Sequence, residues 1–136
     1  MLNKIFIDTL FVIAFVNPND QYHKKACSLA QEYEKQHLVV TDVVLLEIGN
    51  GLSKNFKRQA IEIIEDFISS DDVEVVHLNP DLFQTGFGLY KKYKDKEWGL
   101  IDCISFTVMR QKKITKALTF DHHFTQAGFQ ALMRDE

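Results

Sequence analysis

The sequence predicts an α/β domain built on a mostly parallel sheet. Three observations predict it. Short β-rich apolar runs (Ile5–Ile7, Leu38–Val40, Val73–His77, Thr115–Thr119) alternate with longer stretches of helical period, the pattern of a sheet crossed by helices. Two of those runs end in, or just before, an aspartate, Asp8 and Asp121. Ligands of open α/β sheets gather at such carboxyl ends. At 136 residues, with 46% hydrophobic and 26% charged residues, the chain has the make-up of one globular domain with a real core, spanning residues 1–136.

Taken in order, Lys4 to Asp8 (KIFID) is a strand ending in an acid, and Thr9 to Phe15 is an apolar short helix closed by the turn signal Asn17-Pro18-Asn19. From Asp20, the positions Tyr22, Ala26, Leu29, Ala30 and Tyr33 follow the i, i+3, i+4 rule of an amphipathic helix. Leu38 to Val40 is a minimal buried strand, and Thr41 suits the N-cap of a helix through VVLLEIGNGL. Ala60, Ile63, Ile64, Phe67 and Ile68 form one helical stripe, with Glu62, Glu65 and Asp66 opposite. After the strand Val73–His77, Pro80 opens a helix through Leu82, Phe83, Tyr90 and Tyr93. Leu100 to Lys112 reads as a helix, Thr115 to Thr119 as a strand, Phe124 to Gln126 as one helical turn and Phe129 to Leu132 as an edge strand.

Composition excludes several classes. No apolar run approaches the roughly 18 residues of a membrane span, and the first residues do not form a signal peptide; the expectation is a cytoplasmic protein. Cys27 and Cys103 fall far apart in helical patterns and read as small hydrophobes, not as a disulfide or a metal site. The net charge of −3 gives no bulk attraction to nucleic acid, but basic residues cluster at Lys54/Lys57/Arg58, at Lys91/Lys92/Lys94/Lys96 and at Arg110/Lys112/Lys113/Lys116. Each cluster is either a solvated helix face or a hold on a phosphate backbone.

The chemistry lies in four acids. Asp8 and Asp121 each precede a helix, so each can be an N-cap or a functional carboxylate. Glu47 is harder to dismiss: on a helix its neighbours are Val43, Val44 and Gly51, an apolar face. Asp102 sits among Leu100, Ile101, Cys103, Ile104 and Phe106. Carboxylates are rarely buried without a partner, and no lysine or arginine occurs within these runs. Gathered together, the four would raise one another's pKa unless a cation relieved them. Hard oxygen ligands select Mg²⁺ or Mn²⁺, ions that hold phosphate and activate water. The residues alone therefore read as a carboxylate–metal site suited to phosphodiester chemistry.

IDTLFVIAF with Asp8, VVLLEIGNGL with Glu47, GLIDCISFTVMR with Asp102 and ALTFDHHFTQAGF with Asp121 together resemble the PIN-domain family, in particular its VapC-type toxin ribonucleases. The resemblance covers nearly the whole chain, and its stretch from Asp102 through TFDHHF to Phe129 is its most specific part. It implies a Rossmann-like α/β/α sandwich and endonucleolytic cleavage of single-stranded or structured RNA. Asp8, Glu47, Asp102 and Asp121 would be both the catalytic residues and the ligands of one or two Mg²⁺ or Mn²⁺ ions. It also implies a homodimer and, in many members, a small antitoxin partner. One position departs: members often carry Ser or Thr three residues before the third acid, where this chain has Gly99. That departure keeps open an inactive module of the same fold that binds RNA or a protein. A phosphatase with a nucleophilic Asp8 would want a second aspartate where Leu10 stands, and a flap-endonuclease-like enzyme would be larger and richer in acids.

Thr9 and Thr119 lie beside the outer acids and read first as turn caps, second as groups orienting carboxylates. His122 and His123, being adjacent, are expected to point apart and to be polar neighbours of the site, not zinc ligands. Trp98 is a packing anchor or, failing that, a surface for a base. Phe11, Phe15 and Phe56 are candidate dimer contacts.

Overall fold

The computed structural model describes residues 3–134. Five strands, β1 (Lys4–Ile7), β2 (His37–Thr41), β3 (Val73–Val76), β4 (Lys116–Leu118) and β5 (Gln130–Ala131), form one sheet in the order β3-β2-β1-β4-β5. Every pairing is parallel, so the sheet is wholly and not merely mostly parallel. Its interior strands are continuous apolar runs because both faces are covered. Phe6 turns to one face and meets Phe124 with ring centroids 6.4 Å apart. Ile7, Leu38 and Leu118 turn to the other, beneath Phe11, Ile63 and Phe67. The expected α/β/α sandwich is what forms.

The helices are α1 (Thr9–Val16), α2 (His23–Glu32), α3 (Asp42–Leu52), α4 (Lys57–Ser69), α5 (Pro80–Lys92), α6 (Leu100–Gln111) and α7 (His122–Gln126). Local chemistry sets their starts. Thr41 Oγ1 accepts from the Val44 amide at 3.0 Å and caps α3 as its position predicts. Asn79 Oδ1 accepts from the Leu82 amide at 2.8 Å, with Pro80 in the first turn of α5. α2 starts later than expected, because Asp20 Oδ1 takes the Tyr22 amide at 2.8 Å and makes a turn of that segment.

Two apolar expectations change, at Ile68 and at Phe11. Ile68 is 64% exposed, so the inward stripe of α4 is Ala60, Ile63, Ile64 and Phe67. Phe83 and Tyr90 lie on the outer face of α5. Phe11 is buried, leaving Phe15 as the exposed edge of the predicted dimer patch and Phe56 half-buried. Cys103 is buried in the core, which pushes its thiol up to about 11, and both cysteines are free. Among the described residues no helix is long and apolar enough to cross a membrane.

β1 is the centre of the sheet. The chain leaves it for β2 and β3 on one side and returns to β4 and β5 on the other. The point where strand order reverses, beyond the carboxyl ends of β1 and β4, is where such a sheet opens a crevice.

Candidate active site

Asp8 follows the last residue of β1, and its amide donates to the Leu118 carbonyl of β4 at 3.2 Å. That backbone bond fixes Asp8 at the strand reversal. Asp121 lies just beyond β4 and caps α7, its Oδ1 accepting from the His123 amide at 2.9 Å. Asp8 also occupies the cap position of α1 but makes no side-chain cap bond. The cap reading therefore holds for Asp121 and fails for Asp8.

Glu47 and Asp102 arrive on helices. α3 is drawn against α1 at Gly51, where a Cβ would come 2.9 Å from Ile13 Cδ1; the glycine beside Glu47 is a contact surface for α1, not an empty gap. That approach lets Thr9 Oγ1, in the first turn of α1, donate to Glu47 Oε1 at 2.6 Å. Asp102 sits in the first turn of α6. Its Oδ2 accepts the Gly99 amide at 3.2 Å and lies 3.3 Å from His123 Nδ1. Both helical acids are half-buried, facing the site instead of the deep core.

The four acids share one electrostatic neighbourhood. Asp8 is raised from an ordinary 3.8 to about 7, first by burial and then by Asp102 and Glu47, against the lowering effect of its bonds to Thr119 and Thr9. Asp102 is also raised, by burial and by Asp121, with Gly99 and His123 opposing. Carboxylates that remain this reluctant to ionise want a cation.

The hydrogen bonds suit one. Thr119 Oγ1 donates to Asp8 Oδ2 at 2.8 Å, Thr9 holds Glu47 Oε1, Gly99 and His123 engage Asp102 Oδ2, and the His123 amide holds Asp121 Oδ1. One named oxygen of each carboxylate is thus oriented by the protein, as the ligands of a metal site usually are. The donor set is all oxygen, which fits Mg²⁺ or Mn²⁺.

Sequence reasoning undervalued three residues here. Thr9 and Thr119 are carboxylate-orienting groups, signalled by their placement against two strand-end acids, and Thr119 Oγ1 also accepts the Asp121 amide at 3.1 Å, the turn cap its position predicts. His123 Nδ1 lies 3.3 Å from Asp102 and 3.4 Å from Asp121, bridging two acids that spacing alone does not bring together. The rings of His122 and His123 lie 4.5 Å apart instead of diverging. Asp121, His122 and His123 offer atoms within 4.8 Å of one another, but His123 Nδ1 is already turned to two carboxylates, so this trio reads as part of the acid site. Trp98 is buried, its Nε1 donating to Gln126 Oε1 at 2.9 Å: a packing anchor.

An apolar hollow of about 240 Å³ lies elsewhere, lined by Phe11, Phe15, Tyr33, Ile63 and Phe67 on the α1/α2/α4 side of the sheet. Its few polar groups carry none of this chemistry.

Comparison with known proteins bears on the family and the fold. Residues 5–130 match the model of the PIN domain. The chain is 32% identical over 126 residues to the 23S rRNA-specific endonuclease VapC20 of Mycobacterium tuberculosis, covering 92% of this chain and 95% of that one. The crystal structure of M. tuberculosis VapC20, described as a Sarcin-Ricin loop cleaving toxin, superposes with a TM-score of 0.81 at 30% identity, over 92% of this chain and 95% of the other. The fold also matches VapBC2 of Rickettsia felis bound to a promoter DNA fragment, with a TM-score of 0.65 at 16% identity over 94% and 96% of the two chains.

Proposed function

The chain belongs to the PIN domain family, and from that premise we propose that it is a metal-dependent endoribonuclease, the toxin of a toxin–antitoxin pair, acting in the cytoplasm as one domain over residues 1–136. The observation that carries the proposal is the gathering of Asp8, Glu47, Asp102 and Asp121 at the strand reversal, each with one oxygen held by a protein donor. These four are the proposed ligands of Mg²⁺ or Mn²⁺. When bound, such an ion supplies charge neutralisation at a phosphate and makes water a better nucleophile near neutral pH.

The chain's own residues do the rest. Thr119 and Thr9 keep Asp8 and Glu47 from turning away. His123 spans Asp102 and Asp121 and offsets part of their repulsion. The VapC20 relative's action on 23S rRNA supports RNA as the substrate class. A homodimer and a small antitoxin belong to the same proposal; the exposed edge at Phe15 is one of several exposed apolar positions, with Leu46, Ile61 and Ile68, that suit a protein partner. The Gly99 amide holds Asp102 as the amide of any residue there would, so the missing hydroxyl is still the feature that favours the inactive module.

The test is cleavage of single-stranded RNA and of purified ribosomal RNA by the protein with Mn²⁺, beside Asp102→Asn. The expected result is cleavage by the first and a loss of two or more orders of magnitude in the second, with its thermal transition retained. Equal cleavage by both would remove the acids from the mechanism. Calorimetric titration with Mn²⁺ alone separates an inactive module, which need not bind the ion.

A further inference from the structure

Four carboxylates repel the backbone they are proposed to cut, so a strand of RNA needs a cationic hold close to them. The structure places one there. Between the last turn of α5 and the start of α6 runs a groove of about 540 Å³, lined by Tyr90, Lys91, Lys94, Lys96, Trp98 and Gly99, with Tyr93 and Glu97. Three lysines line it against one glutamate, with Asp95 Oδ2 3.4 Å from Lys96 Nζ at its edge, in a protein whose net charge is −3. Gly99 joins the groove to the acids, since its amide is the donor that holds Asp102.

The aromatic residues divide into floor and platform. Tyr93 packs on the buried Trp98 with centroids 4.8 Å apart, and Lys92 Nζ lies 5.5 Å from its ring, so Tyr93 is engaged on both counts. Tyr90 is different: it is 44% exposed, and its one ring neighbour among the described residues is Phe87, stacked at 6.3 Å. Lys91 Nζ is held 4.9 Å over that same Phe87 ring. An exposed ring braced from behind, flanked by lysines, is the arrangement that takes single-stranded nucleic acid by stacking and charge.

We propose that this groove holds the single-stranded RNA segment leading to the four acids, a base stacking on Tyr90 and phosphates meeting Lys91, Lys94 and Lys96. The proposal rests on the reading of the protein as a ribonuclease and adds where its substrate lies. The RNA in question is an unpaired segment, because a stacked base in a duplex cannot present its face to Tyr90.

The test is binding, read by fluorescence anisotropy of a labelled single-stranded RNA of about 12 nucleotides in EDTA, where no cleavage occurs. The double variant Lys91→Glu/Lys94→Glu is expected to bind about tenfold more weakly, with a salt dependence shallower by about 1.4 in log–log slope, two contacts at ~0.7 each. Tyr90→Ala is expected to lose about fivefold or more. Lys113→Glu/Lys116→Glu, which reverses the same charge at the other end of the strands, is expected to bind as the parent does. Thermal transitions near the parent's certify folding.

Equal affinity and slope in the groove variants would overturn the proposal, as would equal loss in both double variants, or no RNA binding by the parent. A groove variant that binds RNA normally but changes molar mass by light scattering would also overturn it, assigning the face to a second copy of the chain. If the parent binds RNA through the groove but cleaves none with Mn²⁺, the groove stands and the nuclease reading falls.

Discussion

Thr119 Oγ1 donates to Asp8 Oδ2 across 2.8 Å in a fully buried position, joining the ends of two strands 111 residues apart in sequence. It is the strongest lowering influence on an acid that burial otherwise drives toward neutrality. Thr119→Val keeps the shape and removes the donor. Hydrogen bonds to charged groups contribute about 1.5–3 kcal/mol, and loss of such supporting partners typically costs ~10–100-fold in metal affinity. Calorimetry should show Mn²⁺ binding weakened within that range; unchanged affinity would make Thr119 a turn cap and nothing more.

Asp8 also sets a pH dependence. Its pKa is about 7 in the folded protein against 3.8 in the unfolded chain, so between those values the folded state holds a proton that the unfolded state has released. Stability therefore falls as pH rises through that window, on the order of a few kcal/mol at ~1.4 kcal/mol per unit. Asp102, raised in the same direction, adds to it. Glu74, paired with Lys4 and Lys112 and lowered from 4.5, acts with the opposite sign and only at lower pH. The metal-free protein should lose melting temperature between about pH 5 and pH 7.5, Mn²⁺ should restore it at neutral pH, and Asp8→Asn should flatten the fall. A melting temperature that climbs across that range without metal would contradict this account.

Gly99 can be tested by restoring what it lacks. Its φ of −73° suits any residue, and an added Cβ would meet nothing nearer than Asp102 Oδ2 at 3.9 Å. Gly99→Ser supplies a hydroxyl able to accept the Asp102 amide and complete a capping box with the existing Gly99–Asp102 bond. Stability should rise by a few tenths of a kcal/mol and Mn²⁺ affinity severalfold. Weaker binding would mean that the open position serves the approach to the acids better than a hydroxyl does.

The sequence made the frame legible because its signals are local. Thr41 and Pro80 mark helix starts through their own backbone chemistry, and the strands are short apolar runs ending near acids. The four acids were legible too, as polar groups set where apolar neighbours make them costly. What stayed hidden depends on distance across the fold. That Thr119 holds Asp8 as well as capping its own turn follows from the register of β4 on β1, with Ile7 opposite Leu118, and no spacing reveals it. His123 meets Asp102 only because α7 packs beside α6. The outward turn of Ile68 was missed for the same reason: helical period predicts a stripe, but packing on a neighbour decides which residues lie in it.

α5 and α6 touch closely at Gly86, where a Cβ would come 2.9 Å from Ile104 Cγ1, 3.3 Å from Ile104 Cα and 3.4 Å from its amide nitrogen. The Ile104 side chain must move, and its Cα must also give by a few tenths of an ångström, so the two helices are pressed slightly apart. Overpacking of this kind costs about 1–3 kcal/mol. Ile104 is two residues beyond Asp102, on a helix whose first turn carries that acid, so a shift of α6 moves Asp102 relative to Asp8 and His123. Gly86→Ala should therefore lower both the melting temperature and the cleavage rate, while Gly88→Ala, with nothing within 4 Å of its Cβ, should lower neither. Loss of stability with cleavage unchanged below the transition would show that the acids tolerate movement of α6, and that the α5–α6 contact serves the fold alone.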